Sequence, residues 1–316
     1  MKKEDLIMNK KKLLIDCDPG HDDAIALMLA FSNENFEVLG ITVESGNQTL
    51  DKTSQNAINI CSYFGKDIDV VKGVNHPLIK EVNICSEIHG ESGLDGFEFP
   101  IYSKKTKDVN GIQYIIDTLL KNDKVTIVAT GPLTNIALSL RCEPKIIDHI
   151  EEIVLMGGSI DNGNVSPASE FNILCDPEAC DIIMKSNIKV KMIGLNVTRK
   201  VLVLPQIIER MRKINNNASV LFVKLMEVFN ENQQKTFGLE AGPLHDPVTI
   251  VSLIDENVVK FQKMNVTIDL SHGESYGRTN CDVFDFLHKK KNCYVATDIN
   301  VEKYWDIIEE GLSKLQ

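Results

Sequence analysis

Four aspartates fall within eight residues in Asp16-Cys17-Asp18-Pro19-Gly20-His21-Asp22-Asp23, straight after the apolar run Leu13-Leu14-Ile15. That many like charges in one turn repel each other unless a cation sits among them. Carboxylate oxygens suit a hard divalent ion, Ca2+ or Mg2+, better than zinc. The chemistry this allows is metal-dependent hydrolysis of a small, polyol-like substrate. A solvated, helix-capping turn is the bland alternative for Asp18, Asp22 and Asp23. The apolar strand before them and the apolar helix after them argue against it. Asp16 reads as a residue that orients the turn through hydrogen bonds, and His21 as structural or exposed.

The elements that must hold these residues alternate strand and helix. Strands are expected at Lys12–Cys17, Phe36–Val43, Ile68–Val71, Val125–Ala129, Ile153–Met156 and Val190–Leu195, with late strands at Asn265–Leu270 and Cys293–Thr297. Helices are expected at Ala24–Phe31, Leu50–Phe64, Ile112–Lys121, Leu133–Leu140, Pro177–Ser186 and Pro205–Lys213, and a closing one at Val301–Leu315. Asp176 should cap the Pro177 helix, with the proline in its first position. Such alternation predicts an α/β fold: one open, mainly parallel twisted sheet with helices on both faces and a Rossmann-like core. Ligands of such sheets bind beyond the carboxyl ends of the strands. Asp16 and Asp18, Glu44 to Asn47, Thr130-Gly131-Pro132, Gly157-Gly158 and Asn196 all follow strands in this way.

The 316 residues are 43% hydrophobic and 25% charged, as in ordinary globular proteins. A net charge of −11 argues against nucleic acid or an anionic membrane as partner. No run of about eighteen apolar residues predicts a membrane span, and the N-terminal apolar run is too short for a signal-peptide core. Eight cysteines without a CxxC pair read as reduced thiols, hence a cytoplasmic protein. With no repeat or linker, residues 1–316 read as one domain, of which 1–11 form a charged N-terminal extension.

A set of motifs then gives a specific resemblance. The aspartate-rich segment is followed by Gly46-Asn47-Gln48-Thr49, His89-Gly90-Glu91-Ser92-Gly93-Leu94-Asp95-Gly96 and Thr130-Gly131-Pro132-Leu133-Thr134-Asn135. Met156-Gly157-Gly158, Glu170-Phe171-Asn172-Ile173, Asp176-Pro177-Glu178-Ala179 and His245-Asp246-Pro247 come next. In this order, from about Lys11 to the C-terminus, they resemble the inosine-uridine-preferring nucleoside hydrolases, and within them the bacterial pyrimidine-preferring ribonucleoside hydrolases. The resemblance implies the nucleoside hydrolase fold, one bound Ca2+, and hydrolysis of ribonucleosides to ribose and free base in nucleoside salvage.

Residue roles follow from it. Asp18 should bind Ca2+ and act as general base, with Asp23, Asp246 and the Thr130 carbonyl completing the protein ligands. Asp22 and Asn47 should bind the ribose 2′- and 3′-hydroxyls, and Asn164, Glu170 and Asn172 its 3′- and 5′-hydroxyl side. Met156 should pack beneath the sugar. His89 and His245 should be catalytic at the base, where protonation of the leaving group helps. Gln233 and Phe237 should flank the base, with phenylalanine where pyrimidine-preferring relatives carry tyrosine. The two histidines imply uridine and cytidine first and inosine second. The loops at Ile79–Phe99 and Asn230–Leu239 are expected to close over substrate, and the enzyme to be a homotetramer or homodimer. Asp95 reads as a turn residue and Trp305 as core or interface.

Two other classes are weighed. A haloacid-dehalogenase-type phosphatase also has DxD after its first strand, but Pro19-Gly20-His21 stands where Thr or Val is wanted. A catalytically silent nucleoside binder would be favoured by loss of Asp18 or His245, and both are present.

Overall fold

The computed structural model describes residues 10–315. Most of the expected N-terminal extension, residues 1–9, lies outside them; Lys11 already begins the first strand. The strands are β1 (Lys11–Cys17), β2 (Phe36–Val43), β3 (Val70–Lys72), β4 (Val125–Ala129), β5 (Ile150–Met156), β6 (Val190–Ile193), β7 (Val259–Met264), β8 (Val266–Ile268), β9 (Thr279–Cys281) and β10 (Cys293–Ile299). Eight form a sheet in the order β3-β2-β1-β4-β5-β6-β10-β7, while β8 and β9 form a separate antiparallel pair. Every pairing in the large sheet is parallel except β10 with β7 at one edge.

The sheet is covered on both faces, as its nearly continuous apolar strands require. Leu13, Ile15 and Cys17 of β1 enter one core with helices His21–Ser32, Leu50–Tyr63, Asn217–Phe237, Pro247–Ile254 and Val301–Lys314. Leu14 turns to the other core, with helices Gly111–Lys121, Thr134–Cys142 and Pro177–Lys185. Val154 faces the first core, its neighbours Ile153 and Leu155 the second, by the same two-residue alternation. Tyr304 and Trp305 are buried in the first core.

The strand order reverses at β1, which is flanked by β2 and β4. The two crossovers leave this point in opposite directions, so a crevice opens beyond the carboxyl ends of β1 and β4. Those ends deliver Asp18 and Thr130. β6 stops at Ile193, two residues before its expected end, because Gly194 caps a short helix, Leu195–Thr198. Asn196 is correspondingly not a site residue. Its Oδ1 accepts from Ile160 N (3.3 Å) and its Nδ2 donates to the Ala296 carbonyl (2.9 Å), tying two loops together.

Candidate active site

Two helix N-termini meet at the crevice. One begins at His21, with Asp22 and Asp23 in its first turn; the other begins at Pro247, with Asp246 as its N-cap residue. Carboxylates near helix N-termini are stabilised by the exposed N–H groups there. The two helices pack together, which brings Asp246 to Asp22 and Asp23 across more than two hundred residues of sequence. Oxygens of these three buried aspartates lie within 4.8 Å of one another.

Asp18 is fully buried beside them and stands outside that triple. Its Oδ2 accepts from Asn47 N (2.7 Å), while Oδ1 has no partner among the described residues. Asp23 is more fully held: Oδ2 accepts from Gly20 N (3.0 Å) and Asn47 Nδ2 (2.8 Å), and Oδ1 from Thr130 Oγ1 (2.7 Å). Gly46 must be glycine here, because a Cβ would overlap Asp18 Oδ2. Asp16 is oriented from below by Thr42 Oγ1 and by Asn135 Nδ2 (3.0 Å), as a turn-fixing residue should be.

The electrostatics are those of a cation site. Burial pushes the Asp22 carboxyl up to about 7, with the charge of Asp23 adding to it. Asp18 and Asp246 are raised well above the usual carboxylate range, by burial first and by their aspartate neighbours next. An unpaired buried carboxylate is costly. A divalent cation would remove both the repulsion and the orphaned oxygen of Asp18. The donors present are all oxygens, which fits calcium.

Above this acidic floor lies a cavity of about 520 Å³. Asp22, Asn47, Thr130, Met156, Asn164, Glu170, Asn172, Gln233, Phe237, His89, His245 and Asp246 all line it; Asp18 and Asp23 sit below its surface. Each expected substrate-binding residue therefore reaches one space. Asn172 Nδ2 donates to the Thr130 carbonyl (2.8 Å) and to the Met156 carbonyl (3.2 Å). Glu170 has a structural duty as well: it accepts from Gly158 N, Asn172 N and Ile173 N (2.9–3.1 Å) and so caps the helix Phe171–Cys175. Asn164 Oδ1 accepts from Phe171 N (3.0 Å).

The opposite wall carries the histidines. His89 Nδ1 accepts from His21 N (3.2 Å), and His21 Nε2 donates to the Asp95 carbonyl (2.8 Å). His21 is buried rather than exposed and holds His89 in place; Asp95 closes its turn by accepting from Glu91 N and Ser92 N (both 2.9 Å). Burial pushes His245 down to about 3, aided by the charge of Arg199, and holds His89 well below the ordinary histidine value. Both rings are neutral near pH 7. Gln233 is buried on the helix Asn217–Phe237, whereas Phe237 is half exposed at the mouth, where Gly238 ends that helix in the left-handed conformation.

Sequence reasoning missed Thr198, whose Oγ1 lies 2.7 Å from His245 Nδ1, and Arg199, which lines the cavity and donates to the Asn162 and Gly163 carbonyls (3.2 and 2.6 Å). A Thr-Arg pair just past a strand end is a weak signal that only the strand's position could have raised. Among the described residues no helix is long and apolar enough to cross a membrane.

Comparison with known proteins agrees with this geometry. Residues 13–306 match the family described as inosine-uridine preferring nucleoside hydrolase. The chain is 40% identical to the pyrimidine-specific ribonucleoside hydrolase RihB of Escherichia coli O17:K52:H18 over 304 residues, 96% of this chain and 97% of that protein. Among solved structures, a purine-preferring ribonucleoside hydrolase from Gardnerella vaginalis superposes with a TM-score of 0.90 at 32% identity, covering 96% of this chain and 99% of that one. A plant nucleoside hydrolase, PpNRh1, gives the same TM-score of 0.90 at 28% identity, over 96% and 99%. With its acidic crevice, paired histidines and these likenesses over nearly its whole length, the chain belongs to the inosine-uridine preferring nucleoside hydrolase family.

Proposed function

We propose that this protein is a calcium-dependent ribonucleoside hydrolase that prefers pyrimidine nucleosides, uridine and cytidine before inosine. The observation that carries this reading is a cavity lined by Asp22 and Asp246, with buried Asp23 and the orphaned oxygen of buried Asp18 beneath it, and with two neutral histidines on its wall.

Asp18, Asp23, Asp246 and the Thr130 carbonyl would hold the calcium, with Asp22 turned to the sugar. Bound calcium would lower the pKa of a coordinated water. The Asp18 carboxylate would be the base that accepts a proton from the water attacking the anomeric carbon. Asp22 and Asn47 would grip the ribose 2′- and 3′-hydroxyls, and Asn164, Glu170 and Asn172 the 3′- and 5′-hydroxyl side. Met156 would lie under the ring. These oxygens suit the positive charge that develops on the sugar as the glycosidic bond breaks. His89 and His245 would meet the departing base.

The 40% identity to a pyrimidine-specific enzyme supports the pyrimidine preference. Phe237 favours a second, broader inosine-uridine reading, because at the cavity wall its ring can stack on any base but offers no hydrogen bond to select one. The same proposal includes a homotetramer or homodimer in the cytoplasm, and eight free thiols suit a reducing compartment. The test is kcat/KM for uridine, cytidine, inosine and adenosine. Values for uridine and cytidine at least about tenfold above inosine support the preference, a gap of about 1.4 kcal/mol in transition-state binding. Inosine equal or ahead replaces it with the broad reading.

A further inference from the structure

Thr198 ends the short helix after β6 and is fully buried. Its hydroxyl lies 2.7 Å from His245 Nδ1 and has no other hydrogen-bond partner among the described residues. His245 Nε2 also lacks a partner among the described residues, yet it is not among the buried orphaned polar atoms, so it opens to the cavity that His245 lines. A neutral imidazole has one donor and one acceptor nitrogen, and a hydroxyl can serve either way. The Thr198 hydroxyl has no second acceptor among the described residues, so it donates to Nδ1. The ring's own proton must then be on Nε2. His89 follows the same rule by another route: its Nδ1 accepts from the His21 backbone N–H.

We infer that Thr198 is a positioning residue whose hydroxyl, bonded to His245 Nδ1, fixes the tautomer that presents Nε2–H to the leaving base. The inference rests on the proposed nucleoside hydrolysis. It makes His245 a hydrogen-bond donor to a base acceptor atom as charge builds there, and the proton stays on Nε2 throughout. The hydroxyl also sets the ring's orientation, as outer partners of site histidines commonly do.

The test compares Thr198→Val and Thr198→Ser in the calcium-loaded enzyme, on uridine and on p-nitrophenyl riboside. The nitrophenolate leaves readily and needs no donor. Thr198→Val keeps shape and strands the Nδ1 lone pair, so kcat on uridine should fall roughly ten- to hundredfold. On p-nitrophenyl riboside it should change less than about twofold, and Thr198→Ser should stay within about threefold of wild type on both. Equal losses on both substrates, or no loss with Thr198→Val, overturn the inference. Nitrogen NMR of histidine-labelled wild-type protein, with His245→Ala to assign the signal, checks it even if the valine variant misfolds. An unprotonated Nδ1 on His245 is expected, and a protonated one refutes the assignment. Failure of wild type to cleave uridine would instead strike the proposed function and leave the tautomer to be read directly.

Discussion

Asp18 and Asp22 are both buried aspartates in one turn, yet they are assigned different work, and neutral replacements separate them. Asp22 is the one whose oxygen approaches Asp23 and Asp246, while Asp18 carries the unpartnered oxygen. If Asp18 is a ligand, calcium at a thousand times its Kd stabilises the wild type by about 4.1 kcal/mol. Unfolding of 316 residues at about 2.1 cal/mol/K each carries roughly 0.66 kcal/mol/K, so Tm should rise by about 6 °C. Asp18→Asn should weaken binding by about a hundredfold, the upper loss seen when an outer partner of a metal ligand is removed. At the same calcium concentration the gain then drops to about 1.4 kcal/mol, or about 2 °C. Asp22→Asn should keep most of the wild-type shift and instead raise KM for nucleosides. In metal-free protein both variants should melt no lower than wild type, since each replaces a buried carboxyl whose ionisation is disfavoured by burial first and by neighbouring aspartates next. The assay is thermal melting with EDTA and with a calcium series, beside steady-state kinetics. A full calcium shift in Asp18→Asn together with its loss in Asp22→Asn would exchange the two roles and refute the assignment.

His245→Ala should slow uridine hydrolysis by roughly 10²–10³-fold, the usual effect of losing a donor to developing charge, and p-nitrophenyl riboside far less; matched losses on both would point to a role away from the leaving group. Away from the site, Glu152 is buried, and its carboxylate meets Lys189 at 2.8 Å and Lys191 at 3.1 Å. Burial raises this carboxyl, but the hydrogen bond from Lys189 and the charge of Lys191 outweigh it and the net shift is downward. A depressed folded value means stability present above the unfolded value of about 4.3 and lost as pH falls through the folded one. With both lysines partly exposed, Glu152→Gln should cost about 1–2 kcal/mol, or about 2–3 °C in Tm, at pH 7. The gap should close below about pH 4, and a gap that persists there would exclude the charge as its source.

Where the chain is strongly patterned, its sequence was enough to read the fold. The apolar runs of β1, β2 and β4, and the Asp176-Pro177 helix start, fall where they were expected. β7 went unread because an antiparallel edge strand exposes Lys260, Gln262 and Lys263 and has no crossover helix to announce it. The helix Asn217–Phe237 was not expected and takes in residues 230–237 of the segment read as a loop, Asn230–Leu239, although Leu221, Phe222, Leu225, Met226 and Phe229 do form a helical stripe. In the site, Asp18, Asp22 and Asp23 announced themselves through type and spacing, and Asp246 and His245 through the family resemblance. Glu170 as a helix cap and Thr198 behind His245 did not: one bond depends on a local backbone turn, the other spans 47 residues of sequence.

The central claim is hydrolysis of a nucleoside by an enzyme whose buried aspartates need calcium. The most direct measurement is ribose release from uridine before and after prolonged chelation, then after calcium is restored. Turnover that disappears with chelation and returns with calcium is the predicted result. Turnover that survives complete removal of metal, or no ribose from uridine, cytidine or inosine in calcium, would contradict the account.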